Sequence, residues 1–272
     1  MQYLLLGVLS SVLTGVLLKI FSTRKDSSIY VVFAGNYAAA SAISFFSSDI
    51  PLSRTLPLDL FMGVILGFFL LGNFLIYQKN IKLNGLSLSV GVMRASMVIP
   101  VLLSLFLFGE KIKIINFSGI LLILMSFAIQ GNMKNFRESG WLIFLFLCSG
   151  ITDSFSKVYN VFGQNTEALF LFYAFGSSFL INIALIVIKK EKAAIQDILY
   201  GFLLGIPNQL TFMLFIKSLK TVPAVFAYPV FSSLVVTGSF AVDLIVWRDS
   251  LSKKKTAVIG LIIAGVILLN IR

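Results

Sequence analysis

Histidine is absent from the 272 residues, and cysteine occurs once, as Cys148. A single thiol forms no internal disulfide, and no Cys/His cluster is available to hold a metal ion. Any mechanism that relies on an imidazole base is excluded. Carboxylates are scarce as well: 11 Asp and Glu stand against 22 Lys and Arg, and charged residues make up only 12% of the chain. A soluble domain carries about 25% charged residues, so solvated surface is what the sequence lacks most. There is no G-x-x-x-x-G-K-[ST] phosphate loop, and no stretch polar enough to form a separate soluble domain. No cofactor and no metal are expected.

What is present is hydrocarbon. Hydrophobic residues reach 58% and the mean hydropathy is +0.98, spread along the whole length. Water does not solvate that much apolar surface, which places the chain in a lipid bilayer. The net charge of +11 would suggest nucleic acid in a soluble protein. Here the basic residues fall in short gaps between apolar runs, as membrane-protein loops do, so no nucleic-acid partner is expected. The first run, YLLLGVLSSVLTGVLLKIF, has no basic lead-in and no small-residue cleavage site, and reads as a retained helix.

A helix needs about 20 apolar residues to cross the hydrocarbon core. Ten such runs lie near 2–21, 28–48, 57–78, 84–108, 114–131, 139–162, 165–188, 195–217, 222–247 and 252–271. They do not alternate apolar with polar residues, which excludes a strand barrel. Shifted by 138 positions, the chain matches itself: Thr14 falls on Thr152, Lys19 on Lys157, Asp59 on Asp197, Gly63 on Gly201, Gly67 on Gly205, Phe74 on Phe212, Lys79 on Lys217 and Lys82 on Lys220. Further on, Gly119 pairs with Gly260 at an offset of 141. The pattern records a duplication, with one half at 1–133 and the other at 138–272. Five spans per half is an odd number, so the second half enters the membrane from the opposite side. The expected fold is an all-α integral membrane protein, ten transmembrane helices in two inverted five-helix repeats. Secondary transporters share that architecture, with a binding site near the midplane. Loops after odd-numbered spans hold 13 Lys and Arg, against 6 on the other side, a bias that puts both termini outside.

The segment RASMVIPVLLSLFLFGEKIKIINFSGILLILMSFAI, 94–129, resembles the end of an EamA-type repeat. A proline lies in the fourth span, an acid follows it, and a glycine opens the fifth: Pro100, Glu110 and Gly119. WRDSLSKKKTAVIGLIIAGVILL carries Asp249 and Gly260 in weaker register. Over its whole length the chain is similar to the ten-helix branch of the drug/metabolite transporter superfamily. The resemblance implies export or exchange of small metabolites or drugs across a bacterial inner (plasma) membrane. It also implies a cavity lined by spans 1–4 and 6–9, and cytoplasmic termini, opposite to the charge count. Four-helix relatives couple export to protons through an acid in their first helix; Ser11 and Ser149 occupy the matching places here.

Within the spans, Asp153 lies near the middle of the sixth and Lys157 follows it at i+4. An isolated charge at that depth costs about 3 kcal/mol on insertion scales, so each charge needs a partner or a polar cavity. The two could pair with each other as a structural contact, or meet a substrate or ion. Lys19, the repeat mate of Lys157, can snorkel to the interface or face the same cavity. Arg94 lies too deep in the fourth span to snorkel, and is a candidate partner for Asp153 or for a substrate carboxylate. Asp243 reads as a structural contact. Asn36, Tyr37, Asn73, Asn208, Gln209 and Tyr228 complete the candidate binding set. Pro100, Pro207 and Pro229 either kink their helices permanently or act in gating. The G-x-x-x-G pairs GVILG and GFLLG read as packing surfaces. The expected function is a secondary carrier for a small metabolite, such as an amino acid or similar zwitterion, or for a drug. It would be driven by a proton or ion gradient or facilitated, with no obligate protein partner. The alternatives are a flippase for lipid-linked substrates on the same fold and, less favoured without histidine, a membrane enzyme.

Overall fold

A computed structural model describes residues 1–22, 27–84, 86–130, 139–248 and 253–269. Among the described residues there is no strand. The helices are α1 (Gln2–Ser22), α2 (Ile29–Phe46), α3 (Pro57–Asn84), α4 (Leu86–Ala95), α5 (Val98–Phe106), α6 (Ile114–Gln130), α7 (Ser139–Phe162), α8 (Glu167–Lys189), α9 (Ile195–Ser218), α10 (Ala224–Val246) and α11 (Lys253–Leu269). Among the described residues, seven helices are long and apolar enough to cross a membrane, and three shorter apolar stretches, Val92–Phe106, Ile114–Ile129 and Thr256–Leu269, bring the number to the ten expected from the sequence. The protein is an all-α integral membrane protein. Its polarity is inverted relative to a soluble one: Phe46 and Ile114 are 84% and 88% exposed, while Asn36, Asn182 and Gln209 are fully buried. With lipid outside, polar groups turn inward and bond to one another.

Local chemistry sets the helix ends. Pro57 opens α3 at a position where its missing N–H is not needed. The Thr166 side chain accepts from the Leu169 N–H and caps α8. Lys190, with φ 54°, stops the same helix in the left-handed region. Two elements differ from the sequence expectation. α3 runs on to Asn84, past the apolar stretch. The fourth span is not one kinked helix but two, α4 and α5, broken at Ser96 and Met97. Pro100 supplies no N–H for the Ser96 carbonyl, and the Ile99 N–H bonds to that carbonyl instead, in a tighter turn. Pro207 and Pro229, by contrast, sit inside continuous helices.

The chain forms two compact units: Met1–Leu71 with Val158–Lys220, and Gly72–Lys157 with Thr221–Arg272. Each draws on both halves of the sequence. The junction of those halves, 134–137, lies outside the described residues, as does Asp249.

In the first unit, α2 packs along α9 and α8, and α1 packs on α9. Phe21, Val32 and Leu204 form a core there. The contacts repeat with the halves exchanged. Gly63 and Gly67 of α3 meet α8, where a Cβ on Gly63 would lie 2.9 Å from the Phe170 carbonyl oxygen. Gly201 and Gly205 of α9 meet α2, where a Cβ on Gly201 would lie 2.9 Å from the Asn36 nitrogen. Both G-x-x-x-G pairs are packing surfaces at which backbones approach too closely for a side chain. The buried carboxylates follow the same rule. Asp59 Oδ1 accepts from the Gln164 N–H at 3.0 Å, and Asp197 Oδ2 accepts from the Ser28 N–H at 3.0 Å. Each acid lies in the first turn of its own helix and holds the chain entering a helix of the other half.

In the second unit, α6 and α11 pack on each other. Gly119 lies against Gly265, and the Asn116 amide donates to the Leu268 and Leu269 carbonyls at 3.1 and 3.2 Å, satisfying the end of α11. The C-terminal part of α3 is tied to α7 by Asn80, whose amide donates to the Trp141 carbonyl at 2.9 Å. Lys79 Nζ sits 3.6 Å from the centre of the Trp141 ring. α10 packs on α5 and α11, and α4 on α6.

Candidate functional site

Two polar clusters occupy the interior, one in each unit. The charged one belongs to the second unit. Arg94 is in the last turn of α4, just before the break in the fourth span. It is half-buried, and its Nε is buried with no hydrogen-bond partner among the described residues. Asp153, half-buried on α7, lies within Coulombic reach of Arg94, as does Tyr77 of α3. Among the described residues, Arg94 and Asp153 form no direct ion pair. Their surroundings are built from several helices. Asn73 of α3 accepts from the Ser149 hydroxyl at 2.8 Å. The Tyr228 hydroxyl of α10 donates to the main-chain carbonyl of Asp153 at 2.8 Å. Gly150 lets the start of α5 close on α7: a Cβ there would lie 2.8 Å from the Ile99 Cβ.

α4 ends at Ala95, and its last turn is closed locally: the Val92 and Arg94 carbonyls accept from the Ser96 and Met97 N–H groups at 3.1 and 3.3 Å, and the Met93 carbonyl accepts from the Ser96 hydroxyl at 2.6 Å. Among the described residues no carboxylate is bonded to the Arg94 guanidinium, and its buried Nε donor is left for another acceptor. The Asp153 carboxylate likewise forms no ion pair among the described residues. An arrangement of one cation and one anion, near each other but not joined, suits a ligand that carries both charges.

Lys157 is not part of this cluster. The sequence offered Asp153 as its i+4 partner, but the ammonium pairs with Glu110 instead, at 2.7 Å. The physical reason is that Glu110 is anchored already: its carboxylate accepts from the Ala224 and Val225 N–H groups at 3.1 and 2.9 Å, at the start of α10. Gly109, with φ 64°, and a bond from the Glu110 N–H to the Ser104 carbonyl turn the loop so that this acid points inward. Burial opposes its charge. The Lys157 hydrogen bond and the two backbone donors outweigh that and hold the carboxyl below its ordinary value of 4.5.

The second cluster, in the first unit, is uncharged. The Asn208 amide of α9 donates to Asn36 Oδ1 of α2 at 3.1 Å. Gln209 is fully buried; its Nε2 contacts Met213 Sδ at 3.6 Å, and its Oε1 has no partner among the described residues. Neither has Asn36 Nδ2. The Pro207 carbonyl accepts from Thr211 at 2.7 Å. Tyr37 stacks on Phe175 and meets Phe33 edge-on. Lys19 lies in the last turn of α1, half-buried. Arg94, Asp153, Asn73, Tyr228, Pro100, Pro229 and Lys157 thus fall in the second unit, and Lys19, Asn36, Tyr37, Asn208, Gln209 and Pro207 in the first.

Three comparisons agree with this architecture. Residues 136–271 match the EamA-like transporter family. The chain belongs to the EamA-like transporter family. Its relatives include an uncharacterized protein of Haemophilus influenzae, 25% identical over 236 residues that cover 80% of this chain and 79% of that protein. A solved crystal structure aligns with a TM-score of 0.78 at 18% identity over 98% of both chains, a likeness of fold. As an EamA-family protein, the chain is a membrane transporter of small molecules rather than a member of an enzyme family. Three residues of this transporter escaped the sequence reading as site components: Glu110, Tyr77 and Ser149. Glu110 was visible as the acid of the family motif, whereas its reach to Lys157 and α10 has no local signal. Ser149 and Tyr77 are short-range neighbours of Asp153 and Asn73 on their helices, a spacing of four residues that could have flagged both.

Proposed function

We propose that this EamA-family protein is a secondary carrier for a small zwitterion, of which an amino acid is the simplest example. It works by alternating access between its two inverted repeats in a bacterial inner membrane. The observation that carries the reading is the Arg94 and Asp153 arrangement. Two opposite, half-buried charges sit within Coulombic reach of each other in a lipid-embedded bundle, yet form no ion pair. Retaining even one unpaired charge at that depth costs about 3 kcal/mol, a cost that a ligand binding both would offset. The guanidinium presents donors to a carboxylate, and Asp153 accepts from an ammonium. In the first unit, Asn36, Asn208 and Gln209 form a separate neutral set, in which Asn36 Nδ2 and Gln209 Oε1 have no partner among the described residues. Energy comes from a proton or ion gradient, or transport is facilitated.

The test is uptake and counterflow of a radiolabelled amino-acid mixture in proteoliposomes, with and without a pH gradient. For a carried compound, Asp153→Asn and Arg94→Gln are each expected to lower flux by about tenfold or more, the factor attached to one lost charge-assisted hydrogen bond. Unchanged flux in both variants would remove these residues from the site.

A further inference from the structure

The loop acid Glu110 touches neither Arg94 nor Asp153, yet two consecutive connections between α7 and α10 begin with it. The first is its own: one carboxylate takes the Lys157 ammonium of α7 at 2.7 Å and the first two N–H groups of α10 at 3.1 and 2.9 Å. The second lies one helical turn away on both helices. Tyr228, four residues beyond Ala224, donates its hydroxyl to the carbonyl of Asp153, four residues before Lys157, at 2.8 Å. A helix repeats every 3.6 residues, so fixing the first connection sets the register of the second.

From this we propose that Glu110 is a positioning residue for Asp153. Its carboxylate fixes α10 against α7 so that Tyr228 grips the Asp153 backbone and points the Asp153 side chain into the charged site. The inference rests on the reading of Asp153 as a substrate contact and adds a residue that contacts no substrate. The chemistry is specific to a carboxylate. It serves an ammonium and two backbone donors at once, with at least three acceptor sites used, and its negative charge suits a helix N-terminus. A neutral amide offers one oxygen and no charge. An ordinary cap would end its influence at Val225, whereas this acid joins a second helix through Lys157.

Two measurements on the full-length protein in lipid nanodiscs and proteoliposomes decide it. In hydrogen exchange, Glu110→Gln is expected to speed exchange about tenfold in the first turn of α10, the factor for a lost charge-assisted hydrogen bond, and also across 150–157 of α7. Glu110→Asp is expected to recover part of the protection in both segments. Faster exchange confined to α10 would reduce Glu110 to a helix cap and overturn the proposal, as would no change in either segment. In counterflow of the labelled amino-acid mixture, Glu110→Gln is expected to raise the apparent KM several-fold with little loss of maximal rate. That effect should vanish when Asp153→Asn is already present. An equal effect in the presence and absence of Asp153→Asn would mean that Glu110 does not act through Asp153. If no amino acid is carried by the wild type, the functional reading of the site fails, while the exchange result still decides whether Glu110 sets the α7–α10 register.

Discussion

Glu110, half-buried, and Gln209, fully buried, are polar residues with opposite hydrogen-bonding states. Glu110 has three partners and a lowered pKa. Because its folded value lies below its unfolded value, the stability it contributes is present above about pH 4.5 and is lost as pH falls through the folded value. Thermal unfolding of the detergent-solubilised protein should therefore hold steady from neutral pH to about pH 5, then decline in more acid buffer. Glu110→Gln should unfold earlier at neutral pH and show a shallower acid decline. Gln209 has an acceptor without a partner among the described residues. Replacing it with methionine removes that buried acceptor and keeps the volume, so the protein should be stabilised by about 1 kcal/mol. A transported substrate should at the same time bind more weakly. A stabilised variant with unaltered transport would confine Gln209 to a structural role.

At the level of helices, the glycines divide by surroundings. A Cβ at Gly201 would meet the backbone of α2, with Gly35 Cα at 2.9 Å, whereas a Cβ at Gly72 meets nothing within 4 Å. Gly201→Ala should cost about 1–3 kcal/mol by forcing α2 and α9 apart. Gly72→Ala should be neutral or stabilising by about 0.5–1 kcal/mol, as for a glycine in a helix interior. Thermal unfolding of the two variants side by side checks both. The sequence foretold this difference only in part. The G-x-x-x-G pairs were legible because their spacing repeats at one offset. Gly260 shared a repeat position with Gly119, yet it is open while Gly119 packs against Gly265. The ten apolar stretches were legible because lipid imposes a length on every crossing. The break between α4 and α5 was not, since Pro100 is compatible with a kink as well as a rupture, and neighbouring helices decide which. For the charged site, the residue types were legible and the pairing was not. Lys157 has Asp153 at the favourable i+4 spacing, but a better acceptor arrives from 47 residues away.

For the whole molecule, ten crossings place successive loops on alternate sides of the bilayer. With Cys148 replaced by serine, Lys192→Cys should react with a membrane-impermeant thiol reagent from one side of the membrane. Ser53→Cys and Gln164→Cys should react from the other. Labelling of all three from one side would contradict the crossing count. The interlocked acids Asp59 and Asp197 carry a consequence for biogenesis. During synthesis the N-terminal five spans emerge while the partners they hold and are held by are still unmade. The Ser28 amide waits for a carboxylate translated about 170 residues later, and Asp59 waits for Gln164. Neither polypeptide half, expressed by itself, would reach its final form. Produced together as separate chains, the halves should find each other and assemble.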